Sequence, residues 1–213
     1  MNVPALQILL VDDHAVVRGG LGLLLAQTGD MAVAGEAENA DQAIQLIRQR
    51  EFDVALVDIG LPGKGGLDLL KQIKSERPRL AVLMLSMYAE EVYAVRALKA
   101  GAAGYLTKNS PPATLLAAIR KVAGGGRHVS PVLLEQLAVE VGRGRKSAAE
   151  ALSDREVEVL RRIASGESLN QIAEALYLSP KTVTTYRARI VEKTGLHSNA
   201  ELARYALAKG LLS

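Results

Sequence analysis

Phe52-Asp53-Val54-Ala55-Leu56-Val57-Asp58-Ile59-Gly60-Leu61-Pro62-Gly63 carries an apolar run into an acid and then into a turn. Val54 to Val57 are apolar without alternation, which marks a strand buried on both faces, and Gly60, Pro62 and Gly63 break the chain directly after it. Such a strand belongs to a parallel sheet covered by helices on both sides. Asp58 then falls at its carboxyl end, the edge where open α/β sheets place their chemistry. There its carboxylate is a candidate metal ligand, a general acid, or only a polar strand end.

Outward from this strand the chain alternates short apolar runs with helical periodicity. Ile8 to Val11 predicts a strand ending in Asp12-Asp13, Val16 to Ala26 a helix, and Met31 to Gly35 a second strand. Asn39 with Gln42 reads as a capping box for a helix through Arg50. Beyond Asp58 the pattern predicts a helix over Leu67 to Ser75, a strand over Leu80 to Leu85, a helix over Glu90 to Lys99 and a strand over Gly104 to Thr107. Ser110 followed by Pro111 predicts the cap and opening of a helix that runs to about Val122 and stops at Gly124-Gly125-Gly126. Five βα units imply an α/β doubly wound five-stranded parallel sheet.

The 213 residues exceed the usual single-domain size, so two domains are expected. No apolar run approaches the roughly 20 residues that span a bilayer, so no membrane partner is expected. Met1-Asn2-Val3-Pro4 lacks the basic start and apolar core of an export signal, and without cysteine there is neither disulfide nor thiolate metal site; a cytoplasmic location is expected. The formal charge of +3 is unevenly spread. Residues 1–141 carry 14 Lys and Arg against 15 Asp and Glu, residues 142–151 carry 3 against 1, and residues 152–213 carry 9 against 7. An acidic front and a basic rear suit different partners.

Residues 127–151 fall outside the βα repeat. Ser130 to Val141 can form one more helix, and Gly142-Arg143-Gly144-Arg145-Lys146-Ser147 reads as a flexible basic linker. From Leu152 the pattern is all helical. Ser153 with Glu156, Ser168 with Gln171 and Ser198 with Glu201 form capping boxes, and Ser179-Pro180 is a cap followed by proline at the first helical position. Gly166, Gly195 and Gly210 mark helix ends. Four helices are predicted, near 154–165, 169–176, 180–194 and 199–209, and Tyr177-Leu178-Ser179 joins the middle two as in a helix-turn-helix. In the third, Val183, Tyr186 and Ile190 share an inner face. The opposite face presents Lys181, Thr184, Thr185, Ala188 and Arg189, with Arg187 and Lys193 at its margins. Small and hydroxyl side chains between basic ones suit a helix pressed into a major groove.

Asp12, Asp13 and Asp58 come from the ends of two strands expected to be neighbours, and crowded carboxylates call for a cation. An all-oxygen site in a surface cleft suits Mg²⁺. Ser86 ends the fourth predicted strand and Lys108 follows the fifth, adding a hydroxyl and an ammonium for the oxygens of a phosphoryl group.

With these residues in order, residues 5 to 126 resemble the response-regulator receiver domain, a flavodoxin-like fold. The resemblance rests on Asp12-Asp13, on Asp58 with Gly60-Leu61-Pro62-Gly63, on Ser86, on Gly101-Ala102-Ala103-Gly104-Tyr105 and on Lys108. It implies that Asp58 is the phosphoacceptor attacking a phosphohistidine of a sensor histidine kinase. Asp13, Asp58 and the Gly60 carbonyl would bind Mg²⁺, with Asp12 acting mainly through water. Ser86, Lys108 and Tyr105 would sense the phosphoryl group, Tyr105 by turning inward as Ser86 moves, and Gly60 and Tyr88 would influence the access of hydrolytic water.

The tail resembles the effector domain of the NarL/FixJ (LuxR-type) regulators through Leu152-Ser153-Asp154-Arg155-Glu156-Val157-Glu158-Val159-Leu160, Gln171-Ile172-Ala173, Leu178-Ser179-Pro180-Lys181-Thr182-Val183, Arg189-Ile190 and Glu192-Lys193. By this resemblance Thr184, Thr185 and Ala188 face base edges. Lys181, Thr182, Tyr186, Arg187, Arg189 and Lys193 hold phosphates or the fold. The expected organisation is a receiver over 1–126, a linker over 127–151 and a DNA-binding domain over 152–213. The expected function is a two-component transcription regulator, not an enzyme, that binds double-stranded DNA as a homodimer because one short helix reads few bases. A flavodoxin-like FMN or nucleotide site fits poorly, because Val11-Asp12-Asp13-His14 is acidic where a phosphate cradle is needed. A phosphoryl-accepting adaptor whose tail binds protein shares every feature of the first half; salt-dependent binding to promoter DNA separates the two.

Overall fold

The computed structural model describes residues 5–87, 90–130, 133, 152–209 and 211–212. The chain divides into two compact units, residues 1–133 and 134–213.

The first unit is built of β1 (Leu6–Val11), α1 (Ala15–Ala26), β2 (Met31–Ala37), α2 (Ala40–Gln49), β3 (Val54–Asp58), α3 (Gly66–Glu76), β4 (Ala81–Ser86), α4 (Glu90–Lys99), β5 (Gly104–Thr107) and α5 (Pro112–Ala123). Its sheet has the order β2-β1-β3-β4-β5 with every pairing parallel. All five residues of β3 and all six of β4 are buried, as expected of strands covered on both faces. On one face Ile8, Leu10, Val54, Leu56, Leu83 and Leu85 pack with Leu25, Leu115 and Ile119; each fully buried aliphatic side chain stabilises by about 1.5–3 kcal/mol. Register fixes the functional edge. Val11 lies opposite Val57, Asp58 opposite Leu85 and Ser86 opposite Thr107, so Asp12, Asp58, Ser86 and Lys108 all fall at the carboxyl ends of neighbouring strands.

Three local expectations are corrected. β2 runs past Gly35 to Ala37, because a register shift at Ile8/Leu9 lets Gly35, Glu36 and Ala37 pair with Leu9, Leu10 and Val11. Gly35 marks a close approach rather than a strand end: a Cβ there would lie 3.0 Å from the Phe52 ring. Ser110 does not cap α5. Pro112 holds Pro111 extended, so the helix starts one residue later, and the Ser110 hydroxyl lies 3.1 Å from that of Thr107. At α2, Asn39 accepts from the Gln42 N–H at 3.0 Å, but the Gln42 side chain accepts from Glu38 N–H, not from Asn39.

The second unit contains α6 (Asp154–Ala164), α7 (Leu169–Ala175), α8 (Pro180–Thr194) and α9 (Asn199–Ala208). Both bonds of all three predicted serine capping boxes are present, and Ser179 caps α8 with Pro180 at its first turn. A cap of this kind contributes about 1 kcal/mol. Val157, Leu160, Ile172, Val183, Ile190 and Leu202 form the buried interior. Of the helix expected over 130–141 only residues 130 and 133 are described, the Leu133 N–H donating to Ser130 Oγ at 3.2 Å, while the linker over 142–147 and the stop at Gly210 lie outside the described residues. Among the described residues no helix is long and apolar enough to cross a membrane.

Candidate functional site

Three backbone features deliver the carboxylates. β1 ends at Val11 and its ladder carries Asp12, whose N–H donates to the Ala37 carbonyl at 3.1 Å. β3 ends on Asp58 itself. The turn that follows is clamped by Gly66, whose N–H donates to the Ile59 carbonyl and whose Cα approaches the Asp58 backbone so closely that a Cβ would lie 2.0 Å from the Asp58 carbonyl oxygen.

Asp12 and Asp58 are almost fully buried, while Asp13 and His14 are exposed. Ligand atoms of all four lie within 4.8 Å of one another. The Lys108 ammonium sits 2.6 Å from Asp12 Oδ2 and 2.9 Å from Asp58 Oδ2, and the Lys108 backbone N–H donates to the Ser86 carbonyl, which fixes the residue at the end of β4. Burial pushes the Asp58 carboxyl above its ordinary value. Lys108 offsets part of this, the Asp12 charge adds to it, and the Gly60 backbone N–H pulls it back. For Lys108 burial opposes the charge, but the two carboxylates outweigh it and the ammonium is held above its ordinary value. Two nearly buried carboxylates sharing one ammonium, with a third acid at the rim, form a donor set that suits a hard divalent cation keeping some of its water.

Ser86 and Tyr105 are both buried. Tyr105 is thus already inward, unlike an aromatic waiting at the surface. Gly60 lies over the Asp58 carboxylate, 3.4 Å from Oδ2 to a built Cβ. Tyr88 lies outside the described residues.

Two positions that the sequence reading passes over also shape the site. Arg18 is buried although it lies on the apolar helix α1; one guanidinium nitrogen donates to the Asp12 carbonyl, and the others reach Glu36 at 3.3 Å and Glu38 at 2.8 Å. His14 precedes α1, donates its N–H to Asp12 Oδ1 at 2.9 Å, and brings Nδ1 to 2.8 Å from Asp13 Oδ1. A lone arginine among apolar helix residues was the available signal for the first.

In the second unit, Val183 and Ile190 are buried and Tyr186 half-buried. Lys181, Thr184, Thr185, Ala188 and Arg189 are exposed along the other side of α8, with Thr182 and Arg187 between the two faces. Arg187 donates to the His197 carbonyl and to Asn199 Oδ1, both at 3.3 Å. Lys193 does not join the outer row: its ammonium lies 2.6 Å from the buried Glu156 carboxylate.

Residues 8–120 match the response regulator receiver domain, and residues 150–206 match the family of bacterial regulatory proteins of the luxR type. The chain is 36% identical over 209 residues to the response regulator GacA of Pseudomonas aeruginosa, covering 97% of this chain and 98% of that protein. It is 35% identical over 208 residues to the response regulator UvrY of Escherichia coli, covering 97% and 95%. Among solved structures, RcsB of Salmonella enterica serovar Typhimurium, bound to promoter DNA in the presence of phosphomimetic BeF3⁻, aligns with a TM-score of 0.64 and 27% identity over 94% of this chain and 98% of that one. This chain belongs to the NarL/FixJ response regulators of two-component systems, in which a receiver domain is followed by a LuxR-type helix-turn-helix domain.

Proposed function

We propose that Asp58 accepts a phosphoryl group from a sensor histidine kinase, and that this controls DNA binding and hence transcription through α8. The supporting observation is Asp58 itself: a nearly buried carboxylate at a strand end, 2.9 Å from Lys108 and grouped with Asp12 and Asp13. In this reading residues 1–126 are the receiver, 127–151 the connection and 152–213 the DNA-binding domain, acting in the cytoplasm and as a homodimer on double-stranded DNA.

Asp13, Asp58 and the Gly60 carbonyl would hold Mg²⁺, with Asp12 acting mainly through water, and the ion when bound would supply positive charge against the repulsion between an incoming phosphate and the carboxylates. An Asp58 oxygen attacks phosphorus, the new P–O bond forms as the P–N bond of the phosphohistidine breaks, and the imidazole leaves. Lys108 balances the charge gained. Ser86 and Tyr105 sense the product; with Tyr105 already buried, the switch acts by repacking around a buried ring. In α8, Thr184, Thr185 and Ala188 meet base edges while Lys181, Thr182, Arg187 and Arg189 hold the backbone. Lys193 serves the fold through Glu156.

Incubation with a small-molecule phosphodonor and Mg²⁺ should give a single phosphoryl adduct by intact mass, absent in Asp58→Ala. Undiminished labelling of that variant overturns the assignment. A footprint on promoter DNA that weakens as salt rises supports the DNA-binding reading over an adaptor; its absence reverses that preference.

A further inference from the structure

Among the described residues, every backbone with positive φ is glycine except one: Tyr177, at φ 54. It follows Leu176, the residue that closes α7. Leu178 N–H donates to the Ala173 carbonyl at 2.8 Å and Tyr177 N–H to Glu174 at 3.1 Å, the wrapped helix ending in which a left-handed residue follows the last helical turn. The same chain ends α6 in this way with Gly166 at φ 86, where Glu167 N–H reaches back to Arg162, and closes α8 with Gly195 at φ 71. Glycine is free there; a bulky aromatic is strained.

Burial does not explain the tyrosine. Its side chain is 77% exposed, while Leu176 and Leu178 on either side carry the packing. Strained backbone positions cluster at ligand-contacting sites, and here the strain displays a large ring to solvent. Its place decides what that is. Tyr177 opens the turn of the helix-turn-helix, two residues before the Ser179 cap of α8 and four before the exposed Lys181. The first helix of such a pair crosses the DNA backbone and the second enters the groove, so the turn between them lies at the groove's edge.

We infer that Tyr177 is a DNA-contacting residue, its ring lying on the sugar–phosphate backbone and its phenol O–H donating to a phosphate oxygen. This rests on the DNA-binding reading of α8. The contact is independent of base sequence, and because a hydroxyl donor brings no cation to the phosphates it releases no counterion.

The full-length chain, treated with phosphodonor and Mg²⁺, is titrated onto promoter DNA and onto unrelated DNA across a salt series, as parent, Tyr177→Gly and Tyr177→Phe. Tyr177→Gly should melt no lower than the parent, because it relieves the left-handed strain. It should bind both DNAs about tenfold more weakly, with the slope of affinity against salt unchanged; Tyr177→Phe should fall between, keeping the ring and losing the hydrogen bond. Unchanged affinity in Tyr177→Gly overturns the inference. So does a lowered melting temperature, which would make the ring a packing residue, and so does a loss confined to promoter DNA, which would make it a base reader. A parent that binds no DNA at any salt overturns the DNA-binding reading and this contact together, whereas a parent that binds normally leaves the variants to judge Tyr177 alone.

Discussion

Lys193, in the last turn of α8, lies 2.6 Å from the carboxylate of Glu156, in the first turn of α6. The same carboxylate accepts from the Ser153 N–H at 2.6 Å, so one buried glutamate both completes a helix cap and anchors the far end of the helix expected to read DNA. Removing the ammonium leaves a buried charge with only the cap to satisfy it. Since Lys193 is about a third exposed, Lys193→Met should cost about 1–3 kcal/mol, below the range for a fully buried pair, whereas Lys181→Met should stay within about 0.5 kcal/mol of the parent. Hydrogen exchange of the α6–α9 amides measures both; equal protection in the two variants refutes the anchoring role.

The pair also sets an acid limit. Burial pushes the Glu156 carboxyl up, but the Lys193 and Ser153 hydrogen bonds outweigh it and hold the group below its ordinary value. A depressed carboxyl contributes stability that is complete above the unfolded value, about 4.3, and is lost as pH falls through the lower folded value. The helical unit should therefore hold its protection from neutral pH down to about pH 5 and lose it below about pH 4.3. Lys193→Met should flatten that fall. An unchanged acid profile in the variant counts against the pair as its cause.

Two glycines should respond oppositely to the same methyl group. Gly66→Ala places Cβ 2.0 Å from the Asp58 carbonyl oxygen and 2.8 Å from Ile59 Cα, so the turn after β3 must move and carry Asp58 with it. The expected result is a loss of about 3 kcal/mol or more and little phosphoryl acceptance. Gly20→Ala, on the outer side of α1 with nothing within 4 Å of its Cβ, should instead stabilise by about 0.5–1 kcal/mol and leave acceptance unchanged. Thermal melts with labelling by a phosphodonor check both.

These glycines show where sequence reading ends. The sheet was legible because its strands are apolar runs, and the helical unit because serine boxes punctuate it; both are local patterns written in adjacent residues. Asp12, Asp58, Ser86 and Lys108 were legible as one group because parallel register brings strand ends to one edge. Gly66 gave no such signal, since its neighbour Gly65 looks the same in sequence and the approach of Gly66 to the Asp58 carbonyl exists only in the fold. The Gly35 strand end and the Ser110 cap differ from the sequence expectation for related reasons: a register shift against β1, with Phe52 excluding any side chain at residue 35, in one case and the Pro112 ring in the other decided the local backbone. The Glu156 partner of Lys193 lies 37 positions away, beyond any periodicity.

At the carboxylate site the ammonium of Lys108 stands where a divalent cation would relieve the same repulsion. Lys108→Met leaves Asp12 and Asp58 facing each other with no positive charge between them, so the receiver should melt lower in the absence of Mg²⁺. It should also bind Mg²⁺ more tightly, because the cation no longer competes with an ammonium. The melting temperature should then rise more steeply with added Mg²⁺ in the variant than in the parent, following the logarithm of ligand over Kd. An equal or smaller rise would show that Lys108 does not compete with the cation.

The hydroxyls of Thr184 and Thr185 are exposed, yet each donates back into α8, to the Pro180 carbonyl at 2.9 Å and the Lys181 carbonyl at 3.0 Å. With the proton so engaged, each threonine offers a groove only acceptor lone pairs and a methyl. It can therefore accept from the amino group of cytosine or adenine, or lie against a thymine methyl, but it does not serve guanine as a donor. Thr184→Val and Thr185→Val keep the methyl and remove the acceptor. Each should cost about 1–3 kcal/mol on the preferred operator and almost nothing on unrelated DNA. Lys181→Ala should weaken both DNAs alike and reduce the salt slope by about 0.9. Binding of the three variants to a randomised operator library reads all of these at once, and a uniform loss for the threonine variants would place their hydroxyls at phosphates instead of bases.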